Sequence, residues 1–336
     1  MVNVAVAGVG VWGKNIVRNF CEIDKANLFS CYDLKSTSLR WVKENYPEVK
    51  IVDKYEEILK DRKVDAIVIA TPPHTHFELA RRALEWGKNV LVEKPLTLSS
   101  RDASTLVELA QKKDKKLMVG HLLKYHPAMI KVKEMIEKGE LGKIFYIYSQ
   151  RLNPGRVRKV ENVMWCLATH DIYLVVYFLG SYPQRVNAFG KSFLQKEKGI
   201  EDVVFLTLFF DHEIFSHLHV SWFHPEKVRE TKIIGEKKML VFDEANFPYR
   251  LRICKREIDI GKQSDDELDF QIRKEDEFFV EVEKKQPLKE ECLHFIECIE
   301  EDKTPFTDGE EGFKVVKVLE AAQKSLKEGK EIKVCI

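Results

Sequence analysis

The sequence predicts an α/β protein in which an N-terminal doubly wound parallel sheet precedes an α+β domain with a large open antiparallel sheet. Two observations carry this prediction. Apolar β-branched runs alternate with helix-period stretches over the first 120 residues, which indicates βαβ units. After residue 120 the long strands show two-residue alternation, which is typical of antiparallel pairing. At roughly 150 residues per domain, we place the two domains at 1–121 and 122–336.

The N-terminal half contains five candidate strands and four candidate helices. The strands are expected at 4–7, 28–32, 65–70, 89–92 and 117–119. The helices are expected at 13–23, 36–46, 75–86 and 99–113, with N-caps at Ser36, Thr75 and Ser99 or Ser100. Strands separated by single helices predict a parallel sheet that is buried on both faces.

The C-terminal half begins with helices at 127–138 and about 163–179, and long strands follow. We expect strands at 203–210, 214–222, 229–235, 238–243 and 249–260. In the second of these, Phe215, His217 and His219 lie on the face opposite Leu218 and Val220. The charged stretch near 262–286 is expected to be a surface loop or short helix. Closing helices are expected at 288–300 and 309–327, where they can pack back on the first domain.

The composition excludes several classes of function. With 55 Lys and Arg against 54 Asp and Glu, the formal charge is +1, so no global field attracts nucleic acid or a membrane surface. No apolar run reaches the roughly 18 residues of a membrane span. Seven scattered cysteines predict a reducing cytoplasm rather than a disulfide framework. His217 and His219 have no acid or cysteine at convincing spacing, so we expect no metal site.

A glycine-rich turn follows the first strand. The segment Gly8-Val9-Gly10-Val11-Trp12-Gly13 has the G-x-G-x-x-G spacing and leads into a helix, as in Rossmann dinucleotide-binding domains. The helix N-terminus offers unpaired N–H groups to phosphates. Asp33 ends the next strand, about twenty residues on, where a carboxylate meets the ribose hydroxyls. These features predict NAD; NADP stays possible, because Lys35 and Arg40 lie close to Asp33 in the sequence.

Three further segments carry a family resemblance: 70–76 (ATPPHTH), Glu93-Lys94-Pro95, and 120–127 (GHLLKYHP). Together they resemble the glucose-fructose oxidoreductase / inositol dehydrogenase (Gfo/Idh/MocA) family. The resemblance implies an NAD(P)-dependent oxidoreductase acting on CH–OH groups, with Thr71, Pro72, His76, Glu93 and Lys94 beside the cofactor. It also implies that Lys94 is catalytic, hydrogen bonding the substrate oxygen at the reacting carbon.

A second motif, 165–171 (WCLATHD), places His170 on the family's catalytic histidine. Histidine titrates near neutrality, so it can take the hydroxyl proton as hydride leaves. Many relatives carry aspartate where this sequence has Cys166, which puts a Lys–Asp–His arrangement in doubt. Asp171 can instead orient a partner or cap the helix.

An arginine-rich segment, 151–158 (RLNPGRVR), follows an expected strand at 143–150 and suggests the substrate. Arginine forks match phosphates and carboxylates, and the segment resembles the family branch that acts on nucleotide-linked amino sugars, such as the UDP-N-acetylglucosamine 3-dehydrogenases. The resemblance implies oxidation at C3 of such a sugar. The expected substrate contacts are Lys94, Tyr125, Arg151, Asn153, Arg156, Trp165, His170 and Asp171.

Three alternatives stay open. A dehydrogenase for a free inositol, polyol or sugar does not need the arginines. An NAD-dependent glycosidase oxidises C3 only transiently. A non-catalytic dinucleotide-binding regulator needs neither Lys94 nor His170. In each case the open C-terminal sheet predicts a homodimer or homotetramer packed through that face.

Overall fold

A computed structural model of the chain describes residues 1–155, 157–245, 251–263 and 268–336. The N-terminal strands are β1 (Val2–Ala7), β2 (Ala26–Tyr32), β3 (Lys50–Val52), β4 (Ala66–Ile69), β5 (Asn89–Glu93) and β6 (Leu117–Gly120). The helices between them are α1 (Val11–Cys21), α2 (Ser36–Asn45), α3 (Tyr55–Lys60), α4 (His76–Glu85) and α5 (Ser100–Lys113). These strands pair in parallel in the order β3-β2-β1-β4-β5-β6, which confirms the predicted doubly wound sheet.

The central strands of this sheet bring the predicted cofactor residues together. All side chains of β4 are buried, as expected for a strand covered by helices on both faces. Strand β1 lies between β2 and β4, and β5 follows β4. Because parallel strands end at one edge of a sheet, the turns after β1, β2, β4 and β5 are neighbours there.

The C-terminal half contains the remaining helices and a second sheet. The helices are α6 (Pro127–Glu137), α7 (Thr169–Leu179), α8 (Pro287–Glu300) and α9 (Gly309–Glu328), with a π-helical turn (Met164–Ala168) directly before α7. The strands are β7 (Ile144–Pro154), β8 (Arg185–Lys191), β9 (Val203–Phe209), β10 (Phe215–Ser221), β11 (Phe223–Gly235), β12 (Lys238–Asp243), β13 (Leu251–Gln263), β14 (Leu268–Phe279) and β15 (Ile332–Lys333). Their order is β14-β13-β12-β11-β7-β10-β9-β8-β15. The predicted antiparallel sheet is confirmed, with one departure: β7 and β10 pair in parallel.

Two sequence expectations need correction. Within the stretch 262–286, residues 268–279 are not a loop or short helix, because they form β14, which pairs with β13 at the edge of the sheet. Residues 280–286 contain no helix or strand, as expected of a loop. Edge strands tolerate dense charge, which hides their strand character in the sequence. Strand β7 also continues to Pro154, so Arg151 and Asn153 lie on a strand rather than in the segment after it.

The chain forms two compact units. The first comprises Met1–Tyr125 and Lys285–Lys317, and the second comprises His126–Lys284 and Val318–Ile336. Helix α8 therefore belongs to the first unit, where Cys292, Phe295 and Ile296 join the apolar core around β1 and α1. In the second unit α7 is buried along most of its length and covers one face of the sheet. No helix in the described part of the chain is long and apolar enough to cross a membrane.

Candidate active site

The first and third glycines of the turn after β1 are required by close packing. Gly8 has φ +96°, and its N–H donates to the carbonyl of Tyr32 at 2.8 Å. A Cβ on Gly8 would lie 2.7 Å from the carbonyl oxygen of Ala70. A Cβ on Gly13 would lie 2.0 Å from the carbonyl oxygen of Gly8. These glycines let α1 start directly against the ends of β1 and β4.

The second glycine of the turn faces open space. A Cβ on Gly10, the N-cap of α1, would meet no atom of the described residues within 4 Å. The neighbouring Val11 and Trp12 are 66% and 40% exposed, whereas Val9 is fully buried. An accessible helix N-terminus without a side chain in front of it fits a dinucleotide pyrophosphate. The residues present therefore fit NAD.

The carboxylate of Asp33 lies next to this turn. Its Oδ2 accepts the N–H of Val9 at 2.7 Å, and its Oδ1 accepts the N–H of Lys35 at 2.7 Å. Both donors are backbone groups, and they hold the side chain at the end of β2. Its contact with the ribose hydroxyls stays a prediction.

His76 connects the turns after β4 and β5. Its imidazole is buried, with Nδ1 2.9 Å from the carbonyl oxygen of Pro95 and Nε2 2.9 Å from that of Thr71. Burial lowers the pKa of His76, although the two carbonyl contacts oppose this. Thr71 in turn shares a 2.6 Å hydrogen bond with Thr75. His76 and Thr71 thus hold the Thr71–Pro72 turn against the segment that contains Lys94.

Glu93 and Lys94 follow in the same unit. The Glu93 carboxylate accepts the indole N–H of Trp12, and a Cβ on Gly120 would lie only 3.2 Å from that carboxyl group. Burial raises the pKa of Glu93 to about 7, against the opposing effects of Trp12 and Lys94. Lys94 itself is partly exposed. The first unit therefore gathers the glycine turn, Asp33, Thr71, His76, Glu93 and Lys94 at one edge of its sheet.

Tyr125 has a different environment from the one expected of a substrate contact. It is 6% exposed and packs in the apolar core of the first unit. Its hydroxyl lies 3.2 Å from the Thr307 hydroxyl, and burial raises its pKa. Tyr125 is thus placed to support the fold.

His170 is the partly exposed residue in the first turn of α7. Its neighbours Thr169, Asp171 and Ile172 are all at most 2% exposed. Trp165, on the preceding turn, is 6% exposed and donates its indole N–H to Gln323 at 3.1 Å. His170 is therefore a partly exposed residue in a helix turn whose other residues are buried. His170 belongs to the second unit and Lys94 to the first, so their convergence on one substrate stays a prediction.

Asp171 and Arg151 form a buried ion pair. Arg151 Nε donates to Asp171 Oδ2 at 3.0 Å, and the side chains are 4% and 1% exposed. Arg151 Nη1 also donates to Glu244 at 2.8 Å, and Ser149 donates to Asp171 at 2.8 Å. Burial opposes the charge of Arg151, but the two carboxylates outweigh it and raise its pKa. The guanidinium of Arg151 therefore donates its hydrogen bonds to two carboxylates of the protein itself.

Two residues of this region, Arg229 and Glu244, were absent from the expected site. Arg229 Nη2 donates to Asn153 Oδ1 at 3.4 Å, so both lie beside Arg151. No local motif identifies them, because strand pairing brings them to β7 from far along the chain. Arg156 lies outside the described residues.

A Rossmann domain whose glycine turn fits a dinucleotide, followed by a mostly antiparallel second sheet, is typical of NAD(P)-dependent dehydrogenases. Residues 2–121 match the family model "Oxidoreductase family, NAD-binding Rossmann fold", and residues 133–336 match "Oxidoreductase family, C-terminal alpha/beta domain". The chain belongs to this Gfo/Idh/MocA oxidoreductase family.

Individual relatives act on different substrates. Myo-inositol 2-dehydrogenase of Thermotoga maritima is 24% identical over 341 residues, covering 99% of this chain and 98% of that protein. UDP-N-acetylglucosamine 3-dehydrogenase of Acidithiobacillus ferrooxidans is 34% identical over 129 residues, covering 38% of this chain and 40% of that protein. The solved structure of that enzyme, GnnA, has a TM-score of 0.81 at 23% identity and covers 98% and 99% of the two chains, which shows a shared fold.

Proposed function

We propose that this dehydrogenase oxidises the C3 hydroxyl of a nucleotide-linked amino sugar such as UDP-N-acetylglucosamine. The observation that carries the proposal is the 34% identity over 129 residues to a UDP-N-acetylglucosamine 3-dehydrogenase. The arginine-rich segment 151–158 and the motif 165–171 support it. A second candidate, a free inositol, is favoured by the match to myo-inositol 2-dehydrogenase along 98% of that protein.

In this proposal Lys94 and His170 act at the reacting carbon. Bound NAD supplies the hydride acceptor. His170 takes the proton of the substrate hydroxyl, and Lys94 donates a hydrogen bond to the same oxygen as its negative charge develops. The glycine turn, Asp33, Thr71, Pro72, His76 and Glu93 hold the cofactor. Trp165 and Asn153 border the sugar.

We propose supporting roles, instead of direct substrate contact, for Arg151, Asp171 and Tyr125, and their partners within the protein favour these roles. The two carboxylates on Arg151 use its donors, and Tyr125 packs in a core. Asp171 directly follows His170, so the Arg151–Asp171 pair fixes the start of α7 and with it the imidazole.

The test mixes the purified protein and NAD with each of four substrates: UDP-N-acetylglucosamine, UDP-N-acetylglucosaminuronate, myo-inositol and glucose. The measurement is the absorbance of reduced nicotinamide. We expect NADH only with the nucleotide sugars and a 3-keto product by mass spectrometry. Turnover of myo-inositol alone would instead establish the second candidate. NAD binding without any turnover would favour a regulator, and aglycone release without NADH a glycosidase.

We also propose that two copies of the chain associate through the open face of the second sheet, at a cytoplasmic site of action. Aromatic rings line this face: Phe205 stacks on His219 at 4.1 Å, and Tyr146 stacks on Phe215 at 5.4 Å. Phe189 is 62% exposed there. Burial lowers the pKa of both His217 and His219, which disfavours their charged forms on this face. Exposed apolar surface of this kind is typical of an interface.

A further inference from the structure

Strands β7 and β11 place two arginines directly opposite each other. Arg229 is the register partner of Arg151, so both side chains lie on the face covered by α7. Like charges at such positions repel and need acidic partners. Asp171 and Glu244 are the two carboxylates beside them.

The two carboxylates are shared unequally. Arg151 donates hydrogen bonds to both carboxylates, at 3.0 Å to Asp171 and 2.8 Å to Glu244. Arg229 Nη1 lies 3.9 Å from Glu244 Oε2, beyond hydrogen-bond distance. Within the described ranges, its side-chain hydrogen bond goes to Asn153 alone, at 3.4 Å. Because a guanidinium has five N–H donors, most of those on Arg229 are unused by the described residues.

Arg229 also lies beside the catalytic segment that the proposed function assigns. Its side chain is 22% exposed, so it is partly desolvated yet reachable. Burial lowers the pKa of Arg229 and the charge of Arg151 adds to the effect, whereas Glu244 and Asp171 act in the opposite direction. Asp171 directly follows His170 in α7. A largely buried cation needs its donors completed by water or by a ligand, and an oxyanion can replace water at several of them at once.

We infer that Arg229, together with Asn153, binds an oxyanion of the substrate, either a phosphate of the nucleotide or the carboxylate of a uronic acid. This inference rests on the proposed function, since it places the group next to the sugar that His170 deprotonates. The planar fork of Arg229 matches both oxyanions, and the amide of Asn153 supplies a neutral donor beside it. Arg229 thereby takes the role that the sequence suggested for Arg151.

The test measures binding to the NAD-loaded protein by calorimetry with UDP, glucuronate and UDP-N-acetylglucosamine. Arg229→Met removes the charge and keeps the length, and Arg229→Lys keeps the charge without the fork. Arg185→Met is the matched control, because Arg185 is 52% exposed and paired with Glu331 on the same sheet. We expect Arg229→Met to weaken the oxyanion ligand about 10- to 100-fold, with Arg229→Lys intermediate and the control unchanged. A loss confined to UDP identifies phosphate, and a loss confined to glucuronate identifies carboxylate.

Three results would overturn the inference. The affinities of Arg229→Met for all three ligands could stay within about 2-fold of wild type, or the variant could lose NAD affinity and Tm in parallel. The third result is that the wild-type protein binds none of UDP, glucuronate and UDP-N-acetylglucosamine. The proposed function fails separately. If glucuronate binds through Arg229 but no nucleotide sugar is oxidised, the substrate assignment is wrong and the oxyanion site stands.

Discussion

The indole N–H of Trp12 donates to the carboxylate of Glu93, which joins the glycine turn after β1 to the segment after β5 that carries Lys94. Trp12 is 40% exposed at the start of α1, whereas Glu93 is largely enclosed. This hydrogen bond therefore links Trp12, in the glycine turn, to Glu93, the residue before the proposed catalytic Lys94. The protonation state of Glu93 therefore affects both the glycine turn and the segment that contains Lys94.

We predict that Glu93 makes the protein less stable as the pH rises toward neutrality. Burial raises its pKa from 4.5 to about 7, so the unfolded chain releases this proton first. Stability must then fall between these two pH values and stay level above them. Glu93→Gln should remove on the order of 2 kcal/mol of the loss, measured by urea unfolding at pH 5 and pH 8. Identical pH dependence in the variant and wild type would contradict the assignment.

Gly10→Ala and Gly13→Ala should separate cofactor binding from folding. The added methyl on Gly10 meets no protein atom, so Tm should stay within about 2 °C of wild type while NAD affinity falls at least about 10-fold. The methyl on Gly13 would lie 2.0 Å from the Gly8 carbonyl oxygen, so that variant should lose about 1–3 kcal/mol of stability or more. Calorimetric titration with NAD and thermal unfolding test both. Unchanged NAD affinity in Gly10→Ala would show that the pyrophosphate lies elsewhere.

The parts of the site that the sequence predicts are those encoded by neighbouring residues. Gly8, Gly10 and Gly13 could be assigned roles because one turn contains all three and a strand leads into it. The partners of Arg151 could not be predicted from the sequence, because Asp171 comes from a helix and Glu244 lies 93 positions away. Their proximity depends on the register of β7, β11 and β12, which no local pattern specifies. Strand β14 was missed because its charged residues resemble a loop, whereas the strand expected at 249–260 corresponds to β13.

Substitution of the two proposed catalytic side chains should remove turnover and keep cofactor binding. Lys94→Met and His170→Asn should each lower kcat about 10²- to 10⁴-fold, because each removes a proton donor or acceptor at the substrate oxygen. His224→Asn, on a half-exposed histidine of β11, is the control and should retain full activity. Initial rates with the substrate found in the panel provide the measurement. Activity within about 3-fold of wild type in either variant would exclude that residue from catalysis.

The buried pair Arg151–Asp171 should be worth much more to stability than an exposed one. Arg151→Met removes the arginine partner of Asp171, whose side chain is 1% exposed, so we expect a loss of about 3–5 kcal/mol in urea unfolding. Arg185→Met breaks an ion pair whose arginine is 52% exposed and should cost less than about 1 kcal/mol. Adding Asp171→Leu to Arg151→Met should restore part of the loss by removing the stranded charge. Equal costs for the two single variants would show that the buried pair is not maintained in solution.

Phe205→Glu should dissociate the oligomer that we propose. Phe205 is 38% exposed and lies between His217 and His219, with ring centroids 6.1 Å and 4.1 Å away, at the centre of the aromatic face. A carboxylate there would have to lose its hydration on association, so the interface should open. Trp86→Glu, at a 52% exposed aromatic position of the first unit, is the control and should leave assembly unchanged. Sedimentation velocity at micromolar protein distinguishes the states. A monomeric wild type, or an oligomer that survives Phe205→Glu, would mean that this face does not join two copies, because burying unpaired charge at the centre of a packed interface cannot be neutral.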